Sequence, residues 1–256
     1  HRIARRQRQM CIRDSPSTYE LPFENFDVST VKRVEDLPVW DKGCDSSYTW
    51  AKKFKGLMGH ETPSVLADKI VDALKTDSNP DGLFLHPGSK QYQHLCFTGG
   101  EPLMATGQLA SMGIYKALKK KNNLPKSMTF ETNGTQTLRE PFKQWIKDIP
   151  EEIFFSVSPK LFTVSGEKTE KAIKPENVAE YTECSNRGQL KFVVGAADRE
   201  WDEMEMTVEK FRKAGVQWPV WIMPTGAREE EQVATAGQVA EKLSLIHISE
   251  PTRRAI

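Results

Sequence analysis

Apolar positions from residue 63 onward follow two spacings that alternate along the chain. Apolar residues three or four positions apart predict amphipathic helices near 66–74, 102–120, 138–147, 175–183, 201–211 and 233–243. Short apolar runs between them predict buried strands at 93–97, 128–131, 153–157, 189–194 and 220–223. Strands that alternate with helices favour right-handed crossovers and a mostly parallel sheet. We therefore expect one α/β domain after residue 60.

The two ends of the chain do not fit this pattern. Residues 1–15 have no periodicity and carry five Arg and one Asp, while residues 245–256 interrupt the last helical pattern. Both resemble translated adapter sequence, so we expect that neither is native and that the native N-terminus is missing. A basic arm that binds nucleic acid is the alternative for residues 1–15. Residues 16–40 are irregular and predict a surface insertion.

Composition narrows the class of protein. The chain has 256 residues with 38% apolar and 28% charged content, which is enough to bury one sizeable core. No apolar run approaches the roughly 20 residues that cross a bilayer, so no membrane association is expected. The net charge is +1, but the two end segments carry +5 and leave −4 for the body. A body without excess positive charge argues against a nucleic-acid interface.

The four cysteines are Cys11, Cys44, Cys96 and Cys184. They lie far apart and show no disulfide framework, which is typical of a reducing compartment, and we expect a cytoplasmic protein. Cys44 stands in the sequence Gly-Cys-Asp-Ser-Ser-Tyr-Thr-Trp at 43–50. A thiolate in a polar loop bounded by aromatic residues can ligate iron, and an inert loop cysteine is the alternative.

Polar and turn-forming residues follow four of the predicted strands, at 98–102, 131–135, 158–160 and 223–226. Ligands of parallel α/β sheets bind at the carboxyl ends of the strands, so these sequences predict one pocket rich in donors and acceptors. Ordinary turns are the alternative for each sequence taken alone.

The first of these sequences is Thr-Gly-Gly-Glu-Pro at 98–102. Gly99 and Gly100 allow the backbone to turn tightly and to approach a ligand closely. Pro102 suits the first turn of the helix that follows. Glu101 can accept hydrogen bonds from a cationic ligand group. A plain connector between a strand and a helix is the alternative.

Together these motifs resemble one enzyme family. The motifs are Cys-Asp-Ser-Ser-Tyr-Thr-Trp at 44–50, Gly-Gly-Glu-Pro at 99–102, Glu-Thr-Asn-Gly-Thr at 131–135, Ser-Pro-Lys at 158–160 and Gln-Leu-Lys-Phe-Val-Val at 189–194. They are similar to motifs of the 7-carboxy-7-deazaguanine synthases, a family of radical S-adenosylmethionine (SAM) enzymes. The resemblance covers about residues 16–243 and is closest to a subgroup with an insertion between the second and third cluster cysteines.

The resemblance implies a fold and an activity. Residues 62–244 would form a partial (βα) barrel of the radical SAM type, and residues 16–61 would be a remnant of the cluster-binding loop with an insertion. The enzyme would be a carbon–nitrogen lyase that contracts 6-carboxy-5,6,7,8-tetrahydropterin to 7-carboxy-7-deazaguanine with loss of ammonia, on the route to queuosine and other deazapurines. Its cofactors would be a [4Fe–4S] cluster, SAM and Mg²⁺, and its partners the pterin substrate, an electron donor such as flavodoxin, and a second copy in a homodimer.

The same resemblance implies roles for particular residues. Cys44 would be the third cluster ligand, and Ser46 would lie beside the Mg²⁺, which prefers oxygen ligands. Gly99, Gly100 and Glu101 would hold the amine of SAM. The further implied contacts are Ser158, Lys160 and, more weakly, Gln189 for the ribose or carboxylate side of SAM, and Asn133 and Thr135 for the substrate. No catalytic acid–base pair is evident, since Glu61, Glu131 and Asp45 rank equally.

The sequence departs from the family at the cluster. Such a cluster needs three thiolates, and only Cys44 has the expected context. Asp41 stands three residues before it, where a ligand is expected, Cys11 lies in the adapter-like leader, and Cys96 and Cys184 are predicted to be packing residues. We therefore expect that this chain alone does not assemble a complete cluster. The alternatives are a different radical SAM enzyme, or a non-catalytic barrel that binds a small molecule or a partner.

Overall fold

The structure is a computed structural model that describes residues 25–33, 36–38, 52–57, 59, 61–226 and 229–245. Its five strands are β1 (Leu95–Phe97), β2 (Ser127–Thr132), β3 (Glu152–Val157), β4 (Gly188–Val194) and β5 (Val220–Pro224). The α-helices of the described residues are α1 (Pro63–Leu74), α2 (Ala105–Lys120), α3 (Glu140–Asp148), α4 (Phe162–Ser165), α5 (Thr169–Ala172), α6 (Pro175–Cys184), α7 (Asp198–Lys213) and α8 (Glu229–Leu245).

All five strands are parallel, and their order in the sheet is their order in the sequence, β1-β2-β3-β4-β5. The sheet is not closed, because β1 and β5 are not paired with each other. Phe155, the fourth residue of β3, lies beside Gly188, the first residue of β4. The predicted α/β class with a mostly parallel sheet is therefore confirmed.

Side chains of the strands alternate between two faces of the sheet. One face carries Met128, Phe130, Phe155, Leu190 and Phe192, which are fully buried. Residues of α2, α3, α6, α7 and α8 belong to the same core cluster, so we call this side the helix face. The opposite side, which we call the polar face, carries Cys96, Thr129, Glu131, Phe154, Ser156, Gln189, Lys191 and Trp221.

A row of aromatic rings organises the helix face. The ring centroids of Phe97 and Phe130 are 4.9 Å apart, those of Phe130 and Phe155 are 5.9 Å apart, and those of Phe155 and Tyr181 are 5.0 Å apart. Aromatic side chains bury about 150–250 Å² each. This row therefore joins three neighbouring strands to α6 through apolar burial.

The described residues near the N-terminus form a cluster of their own. Phe54 is fully buried, and the residues packed against it are Phe26, Val28, Leu37 and Leu57. Residues 28–30 form a 3₁₀ turn that begins where the Asp27 carboxylate accepts the Ser29 N–H at 2.9 Å. This cluster is separate from the core of the sheet.

The start of α2 differs from the prediction. The helix begins at Ala105 rather than at Pro102, and Pro102 lies in the turn before it. The Met104 N–H donates to the Glu101 carbonyl at 3.2 Å, which closes this turn. Gly107 allows the turn to pack closely, because a Cβ atom there would lie 2.2 Å from the Pro102 carbonyl oxygen.

The helices include two single-turn segments and differ widely in length. The four-residue helices α4 and α5 were not predicted, because a single turn carries too little apolar periodicity. In the described part of the chain, none of the helices combines the length and the apolar character that crossing a bilayer requires.

Candidate functional site

The chain leaves β1 through a turn in which both glycines use their conformational freedom. Gly99 has a φ of 85° and Gly100 a φ of 55°, in the left-handed region that other residues rarely adopt. Thr98, Gly99 and Gly100 are exposed at the carboxyl edge of the sheet, the edge where the parallel strands end. We call residues 98–104 the glycine turn. The predicted tight turn is confirmed, and its backbone is accessible to a ligand.

Glu101 ties the glycine turn to the end of β2. Its Oε1 accepts the Leu103 N–H at 3.0 Å and the Thr132 hydroxyl at 2.6 Å, and its Oε2 accepts the Asn133 N–H at 2.9 Å. Burial raises the pKa of this carboxyl group, whereas the hydrogen bonds and the charge of Lys160 oppose that rise. A carboxylate offers about four acceptor positions, and these hydrogen bonds use three of them.

The segment that follows β2, residues 133–139, forms what we call the β2 loop. The Asn133 Oδ1 atom accepts the Thr135 N–H at 3.0 Å and the Thr135 hydroxyl at 2.7 Å. Between them, Gly134 has a φ of 79°. The side-chain oxygen of Asn133 is therefore used inside the loop, which leaves its amide nitrogen as the group that can donate to a ligand.

Side chains of α6 hold the β2 loop from behind. Asn177 Nδ2 donates to the Thr135 carbonyl at 2.8 Å, and the Tyr181 hydroxyl donates to the Gln136 carbonyl. Both anchors are buried, Asn177 at 8% exposed and Tyr181 at 0%. Buried hydrogen-bonded supports of this kind fix the geometry of a binding loop before a ligand arrives.

Gln108 of α2 contacts both the glycine turn and the β2 loop, and sequence reasoning did not identify it. Its Nε2 donates to the Leu103 carbonyl at 2.6 Å and to the Thr137 carbonyl at 2.9 Å, and its Oε1 accepts the Arg139 N–H at 2.9 Å. A signal for it exists in the sequence, since Gln108 is a polar residue on the buried stripe of α2 that continues to Leu118.

The end of β3 brings two predicted residues to the same edge. Ser158 is 9% exposed, and its N–H donates to the Thr132 carbonyl at 2.7 Å. Lys160 lies near enough to Glu101 for its charge to oppose the rise in the pKa of that carboxyl group. Ser158 and Lys160 therefore lie with the glycine turn and the β2 loop, as their predicted roles require.

Gln189 lies in the sheet rather than at its carboxyl edge. The register places Glu131, Ser156 and Gln189 side by side on three neighbouring strands. Gln189 Nε2 donates to the Ser156 hydroxyl at 2.9 Å. This hydrogen bond lies within the sheet, and the contact of Gln189 with SAM remains a prediction.

A charged pair lies beside Gln189 on the polar face. Lys191 Nζ is 3.7 Å from Glu131 Oε1, and the Thr98 hydroxyl donates to Glu131 Oε2 at 3.1 Å. Lys191 and Glu131 belong to β4 and β2 and meet across β3, where Ser156 is the register partner of Glu131. Sequence reasoning did not identify Lys191 as a site residue, although it alternates with apolar residues along β4.

The described cysteines have the properties of protonated thiols. Burial raises the pKa of Cys96 to about 12, and the charge of Glu131 acts in the same direction. Burial also raises the pKa of Cys184, which packs against the main core. Cys96 lies in the middle of β1 and Cys184 at the end of α6, so the two thiols belong to separate elements rather than to one cluster loop.

The predicted metal ligands Cys44 and Ser46 are not among the residues that the structure describes. Among residues 61–226 and the other described positions, no group of three or more His, Cys, Asp or Glu side chains could hold a metal ion. Cys44, Ser46 and Cys11 lie outside the described residues, so the predicted roles of Cys44 and Ser46 remain predictions.

Comparisons of this chain with protein-family models, curated proteins and solved structures found no match. The site must therefore be interpreted from its geometry. The carboxyl edge offers an exposed glycine backbone, the carboxylate of Glu101 and the amide of Asn133. The polar face adds a carboxylate and an ammonium group close together. This set suits a ligand with a cationic amine beside a polar heterocycle.

Proposed function

We propose that this protein is a radical SAM enzyme that converts 6-carboxy-5,6,7,8-tetrahydropterin to 7-carboxy-7-deazaguanine with loss of ammonia. The observation that carries the proposal is the contact between the glycine turn and the β2 loop through Glu101. These segments contain Gly-Gly-Glu-Pro and most of Glu-Thr-Asn-Gly-Thr, and they meet at the carboxyl edge of a parallel sheet. Ligands bind at this edge in parallel α/β proteins.

The arrangement of the sheet supports an incomplete (βα) barrel. Strands in sequential order, joined by crossovers of one hand, leave their helices on one side, whereas a doubly wound sheet reverses its order and has helices on both sides. Here the order is sequential, and the five longer helices after β1 contribute to the core on the helix face. The stagger that places Gly188 beside Phe155 is of the kind that barrel closure requires.

The residues at the glycine turn suit the amino-acid end of SAM. Gly99 and Gly100 expose backbone without side chains, and the carboxylate of Glu101 suits an ammonium group. Ser158 and Lys160 lie at the same edge for the carboxylate or the ribose. The bound cofactors would supply the radical chemistry, which starts from one-electron reductive cleavage of SAM and leads to hydrogen abstraction from the substrate. The task of this chain is to place the reactants and to exclude water.

The polar face suits the pterin. The pyrimidine part of a pterin presents neighbouring N–H donors, which pair with a carboxylate such as Glu131, and carbonyl or carboxylate oxygens, which pair with Lys191. Asn133 and Thr135 of the β2 loop lie at the adjoining edge. A substrate that spans these groups would rest beside SAM, as hydrogen abstraction requires.

The cluster and the Mg²⁺ depend on residues outside the described part of the chain. In this proposal Cys44 ligates the cluster and Ser46 contributes a hydroxyl oxygen beside Mg²⁺. Cys96 lies within β1 and Cys184 at the end of α6, on separate elements rather than together in a cluster loop. Two further cysteines are therefore required, and we expect the chain by itself to be inactive.

The decisive test is anaerobic reconstitution, with iron and sulfide, of the reading frame extended upstream of residue 16. We expect a brown protein that cleaves SAM and converts the carboxypterin. Cys44→Ala should abolish the cluster absorbance. An upstream frame without a further pair of cysteines, or a Cys44→Ala protein with undiminished absorbance, would contradict the proposal.

Binding of SAM can be tested separately. Glu101→Ala should weaken it by about 1.5–3 kcal/mol, because it removes a charge-assisted hydrogen bond. Glu205→Ala, which removes an exposed carboxylate of α7, is the matched control and should leave the affinity unchanged. Equal affinities of the two variants would exclude Glu101 as a ligand of the amine.

A non-catalytic small-molecule binder is the second candidate. The observation that favours it is that the described residues contain no group of three or more His, Cys, Asp or Glu side chains that could hold a metal ion. In that case the chain would bind the pterin on its polar face, and the reconstituted protein would cleave no SAM. Pterin binding without SAM cleavage in the extended frame distinguishes this candidate from the enzyme.

A further inference from the structure

Gln108 has an environment that only an amide satisfies. It lies in the first turns of α2 and is 1% exposed. Two carbonyl groups, of Leu103 and Thr137, face its nitrogen, and one N–H group, of Arg139, faces its oxygen. An amide side chain carries two N–H donors and a carbonyl acceptor, so all three backbone groups are satisfied at once.

The backbone groups that Gln108 satisfies belong to two different loops. Leu103 is in the glycine turn, whereas Thr137 and Arg139 are in the β2 loop. Glu101 joins the same two loops at their other end, where its Oε2 accepts the Asn133 N–H at 2.9 Å. The glycine turn and the β2 loop are therefore linked at both ends by buried or partly buried hydrogen bonds and form one unit.

We propose that Gln108 is a positioning residue that holds the glycine turn and the β2 loop at a fixed separation, so that a nucleoside ligand of the glycine turn binds to a preorganised site. Gln108 does not contact the ligand and acts through Leu103 and Thr137. The assignment of the ligand as a sulfur-containing nucleoside rests on the proposed function. Preorganisation improves affinity because the loops are already ordered, so binding does not have to supply the free energy of ordering them.

The test compares two near-isosteric substitutions of buried amides. Gln108→Met removes the donors to both loops, whereas Asn177→Leu removes only the donor to the Thr135 carbonyl of the β2 loop. The measurements are amide hydrogen exchange over 98–104 and 133–139, the affinity for S-adenosylhomocysteine by calorimetry, and the thermal midpoint. S-adenosylhomocysteine is the probe because it needs no cluster chemistry.

The two variants should differ in which segments exchange faster, and not only in the size of the effect. Gln108→Met should raise exchange in both segments and weaken S-adenosylhomocysteine binding by at least about tenfold, because two backbone carbonyls lose their donors. Asn177→Leu should raise exchange in 133–139 alone and weaken binding by less than about threefold. Faster exchange in 133–139 alone for both variants, or equal loss of affinity in both, would overturn the proposal.

The unmodified chain gives an independent result if Gln108→Met does not fold. Saturating S-adenosylhomocysteine should slow exchange in the glycine turn and in the β2 loop together, and protection of only one segment would overturn the coupling. A chain that does not bind S-adenosylhomocysteine would contradict the proposed function. The exchange patterns of Gln108→Met and Asn177→Leu would then still decide whether Gln108 links the two loops.

Discussion

The two faces of the sheet are built from the same strands but are held by different forces. On the helix face, Phe130 and Phe155 are fully buried, with their rings 5.9 Å apart. On the polar face, partly exposed side chains such as Glu131 and Lys191 meet at 3.7 Å. Apolar burial contributes about 25 cal/mol per Å², and an exposed ion pair contributes about 0–1 kcal/mol. Stability therefore resides on the helix face, and the polar face is available for binding.

The carboxyl edge combines both kinds of force. Its loops carry exposed and half-buried residues such as Gly99 and Asn133, yet the groups that anchor them, Gln108, Asn177 and Tyr181, are buried in the helix layer. A buried polar group destabilises the fold when it is unpaired. When all its hydrogen-bond partners are present, it holds its neighbours rigidly. The buried anchors on the helix face therefore fix the loops of the carboxyl edge, and the polar groups of these loops remain available to a ligand.

The largest expected effect comes from one pair of neighbouring residues in β3. Phe155 points to the helix face and is fully buried, whereas Phe154 points to the polar face and is half-buried. Phe155→Ala should lower the free energy of unfolding by about 3–5 kcal/mol, through lost burial and a cavity. Phe154→Ala should cost less than half as much. Urea unfolding measures both, and equal losses would contradict the assignment of stability to one face.

The next effect tests the contact between α2 and the glycine turn. Replacing a helical glycine with alanine ordinarily stabilises a helix by roughly 1 kcal/mol. At Gly107 the new Cβ would lie 2.2 Å from the Pro102 carbonyl oxygen, so Gly107→Ala should instead destabilise by about 1–3 kcal/mol. Thermal unfolding gives the sign. Gly237→Ala in α8, where nothing lies within 4 Å, is the control and should not destabilise.

A smaller effect is expected for the charged pair of the polar face. The side chains of Lys191 and Glu131 are 17% and 27% exposed, so their coupling should be about 0.5–1 kcal/mol in a double-mutant cycle with Lys191→Met and Glu131→Gln. The coupling should weaken in high salt. A coupling near that of a buried pair, insensitive to salt, would show that the polar face also determines stability.

The smallest effect concerns pH at the amino end of the polar face. His94 bridges the hydroxyls of Ser127 and Thr129 at 2.8 and 2.7 Å, and partial burial lowers its pKa below the ordinary 6.5. Just below pH 6.5 the unfolded chain therefore binds more protons than the folded protein does. The stabilisation contributed by neutral His94 is present above that pH and is lost as pH falls. His94→Gln should reduce the slope of the thermal midpoint between about pH 7 and 5. An unchanged slope would show that His94 does not titrate differently on folding.

The strands and the longer helices were predictable because their signals are local. An apolar run such as 153–157, or a stripe such as Trp201, Met204 and Phe211 of α7, is complete within one element. The left-handed turn at Gly99 and Gly100 was also predictable, since only glycine adopts it freely. The start of α2 was not, because the Glu101 carboxylate accepts the Leu103 N–H and the turn replaces the first helical residues.

By itself, the sequence determined the α/β class, the glycine turn and the polar character of the strand ends, because periodicity and φ preference act over a few residues. Only the tertiary structure decided which polar groups meet. Glu101 reaches Thr132 across 31 positions of sequence, and Glu131 reaches Lys191 across β3. Such contacts follow from strand order and register, which no local pattern specifies. For the same reason the role of Gln108, a polar residue on an apolar stripe, follows only from the tertiary structure, which brings its partners in two loops together.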